Sequence, residues 1–346
     1  MLLTNSSYAA PSIYSVTNLD GSPLLDADTK GNTRIWIQGS NFGPATQENI
    51  VVARYKNLQK ASFTAVDCVI HVSHVGIYCT TAPGVGAAHA WSVEIGGQVS
   101  RRPTTSYQSP SISAVVREWD VATNGMPPTD TATLPPTTKM TTRGGESMYV
   151  LGSGFGPRAG ATSGDSSRYL RSVTYGQTGS EYVAKECVVL SDEVIRCMTS
   201  PGVGFDHYWR VDVLGQVSDV STWTTSYAPP VLHSIRISNG TTPWFSGVNA
   251  TNAASTNEVE KNKLFRLILE CSNSGLEARD GTLISIDFGG TQQQTIPIDR
   301  ARSVQIQDQE IEYLAFSLPA LQGQLPSSNI QINVRLTPPS GDIAAI

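Results

Sequence analysis

The strongest constraint on this chain is that it repeats itself. An ordered series of motifs runs Gly39-Ser40-Asn41-Phe42-Gly43-Pro44, Cys68, Cys79, Pro83-Gly84-Val85-Gly86, His89, Trp91, Gly97-Gln98-Val99-Ser100 and Thr105-Ser106-Tyr107. The series returns as Gly152-Ser153-Gly154-Phe155-Gly156-Pro157, Cys187, Cys197, Pro201-Gly202-Val203-Gly204, His207, Trp209, Gly215-Gln216-Val217-Ser218 and Thr225-Ser226-Tyr227. The offset is 113 residues between Gly39 and Gly152 and 120 between Tyr107 and Tyr227, so short loop insertions separate two copies of one unit. A period above about 100 residues is too long for a solenoid repeat and fits tandem whole domains.

A length of 346 residues allows two or three such domains, each large enough for its own core. Only 15% of residues are charged, well below the usual share, while Gly, Pro, Ser and Thr are abundant. The sequence shows no long apolar run at helical spacing. It shows short alternating runs: Arg34-Ile35-Trp36-Ile37, Met148-Tyr149-Val150-Leu151, Trp209-Arg210-Val211-Asp212-Val213 and Ile330-Gln331-Ile332-Asn333-Val334-Arg335-Leu336. Period-two patterns bounded by Gly, Pro and Asn read as half-buried strands, and many of them in succession read as a sandwich. The expected fold class is all-β.

The repeated residues resemble the IPT/TIG family of immunoglobulin-like domains, found in plexin-like and fibrocystin-like ectodomains and in some transcription factors. The family pattern has Pro-x-Ile near the first strand, a Gly-Phe-Gly turn after the second, a mid-domain cysteine pair and a Cys-x-x-Pro-x-Gly-x-Gly step. Cys79 to Gly86 and Cys197 to Gly204 depart slightly from that spacing. The resemblance implies tandem immunoglobulin-like sandwiches in an extended array, with domains at 10–108 and 109–228. A divergent third domain is expected over 229–346. There Pro230-Val231-Leu232 opens the unit, Leu264 to Leu269 supplies a second strand, and Cys271-Ser272-Asn273-Ser274-Gly275 stands at the Gly-Phe-Gly turn. Ile284-Ser285-Ile286-Asp287-Phe288 parallels Val173-Thr174-Tyr175, and Ser317-Leu318-Pro319 parallels the step before the Pro-Gly turn. Residues 1–9 read as the end of a preceding repeat or a linker. Ser7-Tyr8-Ala9-Ala10-Pro11 matches the junctions Ser106-Tyr107-Gln108-Ser109-Pro110 and Ser226-Tyr227-Ala228-Pro229-Pro230. The expectation is therefore a segment of a longer protein with more repeats, and any membrane anchor would lie outside these residues.

Cys68 and Cys79 are eleven positions apart and Cys187 and Cys197 ten, each pair bracketing a short turn at the same place in its copy. Disulfides Cys68–Cys79 and Cys187–Cys197 are predicted, each contributing about 2–3 kcal/mol through chain entropy. Such bonds place the chain in an oxidising, extracellular or cell-surface compartment. Cys271 is left over and is expected as a buried free thiol. Sequons at Asn5, Asn239 and Asn249 fit a secreted glycoprotein. Thr123 to Thr142, rich in Thr and Pro, reads as a solvated insertion open to O-glycans, and 238–262 as a long polar loop.

No catalytic, cofactor-binding or metal site is predicted. Gly152-Ser153-Gly154-Phe155-Gly156 runs into Pro157 rather than a helix start, so it reads as a turn and not a phosphate cradle. Asp26-Ala27-Asp28-Thr29-Lys30-Gly31 places a lysine where a calcium ligand belongs. His71 and His74 are three apart and face opposite sides of a strand, and the cysteines lack zinc spacing. His89 and His207 are expected in structural roles, hydrogen-bonded at a strand entrance, with Trp91 and Trp209 in the core. A formal net charge of −5, with Arg101-Arg102 the only tight basic spot, argues against nucleic acid. No apolar run approaches membrane-spanning length.

The reading is a non-enzymatic extracellular or cell-surface modular segment with a structural, adhesive or filament-assembly role. Its expected partners are other protein chains, copies of itself among them, together with attached N- and O-linked glycans. The alternative is the ligand-binding ectodomain of a plexin-like or fibrocystin-like receptor, or accessory domains of a secreted carbohydrate-active enzyme.

Overall fold

The computed structural model describes residues 8–46, 51–59, 61–100, 103–117, 139–158, 169–229, 231–238, 266–273, 283–287, 293–294, 300–306, 309–317 and 333–337. The sequons at Asn5, Asn239 and Asn249, the Arg101-Arg102 pair and most of the Thr/Pro insertion lie outside them. Every regular element among the described residues is a strand, and the sheets are antiparallel.

The first repeat supplies β1 (Ser12–Asn18), β2 (Arg34–Ser40), β3 (Val51–Lys56), β4 (Ser62–Thr64), β5 (Val66–Val72), β6 (Gly76–Thr80), β7 (His89–Ile95), β8 (Gln98–Val99) and β9 (Thr104–Thr105). They form one sheet in the order β1-β2-β6-β5 and a second in the order β4-β3-β7-β8, with β9 also on β7. Lettered A to G along the chain, this is the ABED and CFG arrangement of an immunoglobulin sandwich. Alternation does what the sequence requires. On β2, Ile35 and Ile37 are fully buried, while Arg34 and Gln38 face solvent and Trp36 is half-buried. Across the second sheet Tyr55 pairs with Trp91, and their rings stack with centroids 4.2 Å apart.

The second repeat supplies β10 (Ser111–Arg117), β11 (Ser147–Ser153), β12 (Leu170–Gly176), β13 (Tyr182–Val183), β14 (Lys185–Ser191), β15 (Val194–Met198), β16 (Tyr208–Val213) and β17 (Gln216–Val217). The orders β10-β11-β15-β14 and β13-β12-β16-β17 reproduce those of the first repeat. Even the defects match: the β1–β2 register shifts between Ile13 and Ser15, and the β10–β11 register between Ile112 and Ala114. Tyr175 stacks on Trp209 at 4.4 Å, as Tyr55 does on Trp91. Phe42 and Phe155, from the two Gly-x-x-Phe-Gly turns, are buried.

The third region supplies β18 (Val231–Ser238), β19 (Arg266–Ser272), β20 (Leu283–Asp287), β21 (Gln293–Gln294), β22 (Arg300–Ile306), β23 (Gln309–Ser317) and β24 (Asn333–Thr337). Its sheets, β18-β19-β23-β22 and β21-β20-β24, repeat the same order without a described last strand. Leu232 pairs with Cys271 as Ile13 pairs with Gly39, and the register again shifts just after it. By contacts the chain divides into two compact units. One comprises Met1–Pro136, Ser147–Thr199 and Tyr208–Thr224, holding β1 to β17; the other comprises Thr137–Glu146, Ser200–His207 and Thr225–Ile346.

Candidate functional site

The four paired cysteines join the edge strand of each first sheet to the inner strand beside it. Cys68 on β5 is bonded to Cys79 on β6, and Cys187 on β14 to Cys197 on β15. Cys79 and Cys197 are buried. These bonds clamp the D–E hairpin of each sandwich beneath its solvent-facing side.

His89 and Trp91 sit at one pole of the first sandwich. His89 is fully buried, with Tyr55, Phe63 and Tyr107 rings around it at 5.5–5.8 Å. Burial lowers its pKa to about 4, against smaller opposing contributions from the Thr105 and Val85 backbone. Tyr107 hydrogen-bonds with Tyr55 and donates to the Ala82 carbonyl at 2.7 Å, and burial pushes its phenol pKa up. Gly84 makes this possible, because a Cβ there would stand 2.7 Å from the Tyr107 hydroxyl. Trp91 donates its indole N–H to Thr105 Oγ1 at 2.8 Å. In the second unit Tyr227 donates to the Ser200 carbonyl at 2.6 Å and meets the buried His207 ring at 5.4 Å. The neutral, aromatic-packed His89 is a packing element, and the buried His207 occupies the matching place beside Tyr227.

Within the first unit, a junction joins the first two sandwiches. Asp192, in the β14–β15 turn, accepts from the Gly156 amide at 2.8 Å and from Thr29 Oγ1 at 2.6 Å. Lys30 and Glu193 form an ion pair beside it, and that hydrogen bond holds the Lys30 ammonium above its ordinary pKa. Gln216 Nε2 donates to the Tyr107 carbonyl at 2.9 Å. The equivalent Gln98 Nε2 donates to the Tyr8 carbonyl at 2.7 Å. By its residue types Asp26 to Gly31 resembles only a broken calcium loop. Its Thr29 and Lys30 are instead the junction's contacts to the second sandwich, a role without a local signature because the partners are 163 residues away.

The outer face of the β1-β2-β6-β5 sheet is the other distinctive surface. Registers set three rows across it: Ser15–Gln38–Gly76–Val72, Thr17–Trp36–Tyr78–Val69 and Arg34–Thr80–Val66. Trp36 lies across Gly76, where a Cβ would stand 1.8 Å from Cη2 and 2.1 Å from Cζ2. Tyr78 packs beside Trp36 at 4.7 Å, and the exposed His71 packs beside Tyr78 at 4.6 Å. The Arg34 guanidinium stands 5.3 Å from the Tyr78 ring centre. In the sequence Trp36 falls within a strand and carries no motif. Its signal was there: an indole alternating with Ile35 and Ile37 must face away from the core.

The same registers on the second sandwich put Ala114, Val116, Tyr149, Leu151 and Val194 where Ser15, Thr17, Trp36, Gln38 and Gly76 stand on the first. Those five are buried as a satellite apolar cluster, with Leu190 and Trp223 packed on it. Among the described residues no group of three or more His, Cys, Asp or Glu side chains is placed to hold a metal ion. Nor is any helix there long and apolar enough to cross a membrane.

No family profile and no curated protein matches the chain. Solved structures similar to it include the plexin A4 extracellular region, at 14% identity and TM-score 0.26 over 92% of this chain and 22% of that one. The surface glycan-binding protein PbSGBP-B from Prevotella bryantii is 10% identical, with TM-score 0.37 over 63% of this chain and 43% of that one. Invasin, a bacterial integrin-binding protein, is 13% identical, with TM-score 0.27 over 87% and 53% respectively. The chain thus spans about a fifth to a half of these relatives' lengths. Likeness at this level carries no argument about activity; the strand order defines the fold.

Proposed function

We propose that this chain is a non-enzymatic extracellular or cell-surface segment of IPT/TIG-type sandwiches whose role is structural: it sets the spacing of modules and presents their faces for adhesion or assembly. Its domains follow the repeat, at 10–108, 109–228 and 229–346, and its disulfides suit an oxidising compartment. The supporting observation is the junction held by Asp192. A side chain that accepts from the Gly156 turn of its own sandwich and from Thr29 of the neighbouring one fixes the angle between them, as a spacer requires and as a free linker cannot supply.

The test is adhesion with the intact secreted chain. Beads coated with it should cluster with one another or attach to cells, and Asp192→Ala should weaken that attachment. Coated beads that stay dispersed and bind no cell type would remove the adhesive and assembly role.

The alternative, a ligand-binding ectodomain, is favoured by one feature, the open aromatic face around Trp36.

A further inference from the structure

We propose that the outer face of the β1-β2-β6-β5 sheet is a binding site for a neutral, flat oligosaccharide, stacked on Trp36 and hydrogen-bonded by the polar groups around it. This goes beyond a spacing role and does not depend on it.

The indole is held ready. Gly76 lets the six-membered ring of the indole close onto the sheet backbone, while the side chain stays partly exposed to solvent. Tyr78 braces it from the neighbouring strand, and His71 extends the aromatic surface onto β5. A half-buried ring fixed in this way loses little freedom on binding, which favours affinity.

The surroundings select the ligand. A covering protein segment needs an aliphatic bed, such as the one Ala114, Val116, Leu151 and Val194 provide under Trp223. On the first sandwich those four positions are Ser15, Thr17, Gln38 and Gly76, so no aliphatic bed surrounds Trp36. The aliphatic side chains of this face, Val66, Val69 and Val72, are confined to the edge strand β5. Ionic ligands are poorly served, because Arg34 is the only permanently charged side chain in the three rows and its guanidinium already rests near Tyr78. The face therefore sets an aromatic centre between hydroxyl, amide and guanidinium groups on β1, β2 and β6 and exposed valines along β5, the mixed composition of a ligand-binding patch. The complementary molecule carries C–H groups on a flat face and hydroxyls at its edge. A pyranose with equatorial substituents has this form: its C–H face meets the negative face of the indole, and its hydroxyls reach Gln38, Ser15 and Arg34. The face is a sheet, so a chain of such rings lying flat, as in β-1,4-linked glycans, fits better than a coiled α-1,4 chain.

The intact chain should be retarded in native gels containing hydroxyethylcellulose, galactomannan or xylan, and should give a titration with cellohexaose but not with maltohexaose. Trp36→Ala should lower the affinity about tenfold or more. Gly76→Ala, whose methyl group lifts the indole off the sheet, should do the same, whereas Trp223→Ala should leave affinity unchanged. If Trp36→Ala fails to fold, Trp36→Phe supplies a folded variant with a smaller, graded loss. The proposal fails if no probe retards the wild-type chain, if both Trp36 variants bind as the wild type does, or if maltohexaose binds as well as cellohexaose. Loss of attachment to protein-coated beads in Trp36→Ala, with no glycan bound by the wild type, would reassign the face to a protein partner.

Discussion

The first two sandwiches share strand order, bulge position, disulfide and core stack, yet they treat the outer face of the ABED sheet in opposite ways. On the second sandwich that face is a sealed apolar layer: Tyr149 and Leu151 are 4% and 3% exposed, with Trp223 packed on the cluster they belong to. On the first it stays half-open, with Trp36 on Gly76 and polar groups along β1 and β2. The comparison shows that duplication preserves what the fold needs and frees what it does not. Inward positions are tied to the core and to each other through close packing. Outward positions answer only to whatever lies above them, so one copy can be covered while its twin is left available.

The sharpest way to break this contrast is to truncate the matched rings. Tyr149→Ala should cost about 3–5 kcal/mol, because it opens a cavity in a sealed layer. Trp36→Ala should cost only about 1 kcal/mol. Urea denaturation of the two variants reads the difference directly, and equal losses would erase the distinction between a covered and an open face.

Acid provides the next test. His89 has a folded pKa of about 4, below its ordinary 6.5, so the unfolded chain takes up the proton first. Its effect is absent above about pH 7, and stability falls as pH drops from 6.5 towards 4, by about 2 kcal/mol at pH 5. In His89→Gln that part of the pH slope should vanish, measured as unfolding free energy from pH 7.5 to 5. An unchanged slope would mean that His89 is not the group responsible.

Removing the disulfides one at a time probes what the twins share. Cys68→Ser with Cys79→Ser, and separately Cys187→Ser with Cys197→Ser, should each cost about 2–3 kcal/mol, since the closed loops differ by one residue. Thermal melts that separate the two by more than that range would show that one clamp holds more than its own hairpin.

At the junction, Thr29→Val deletes the buried donor to Asp192 and should cost about 1–2 kcal/mol. Scattering from the chain should broaden as the two sandwiches gain freedom. Lys30→Ala removes an exposed ion pair and should change stability by less than about 0.5 kcal/mol, an effect lost at high salt.

Much of this was legible in the chain. The alternation around Ile35 and Ile37 places β2 and its buried face, and the matched Gly-x-x-Phe-Gly turns place Phe42 and Phe155 in the core. The third region's strand order follows the repeat even though its cysteine pair is missing: β19 reaches Cys271 at the register position of Gly39. What was not legible has one physical cause, distance along the chain. Nothing near Thr29 announces Asp192, and nothing near Tyr149 announces Trp223.

By itself the sequence determined the unit, its strands, the side of each strand that faces inward and the cysteines that stand opposite one another. Those features depend on the two-residue period of the strand and on turns a few residues long. Only the tertiary structure decided which outer face is sealed, which is left open, and how Thr29 and Asp192 join two sandwiches. Those outcomes need groups far apart in the chain to meet, and it is the completed packing of both sheets that brings them together.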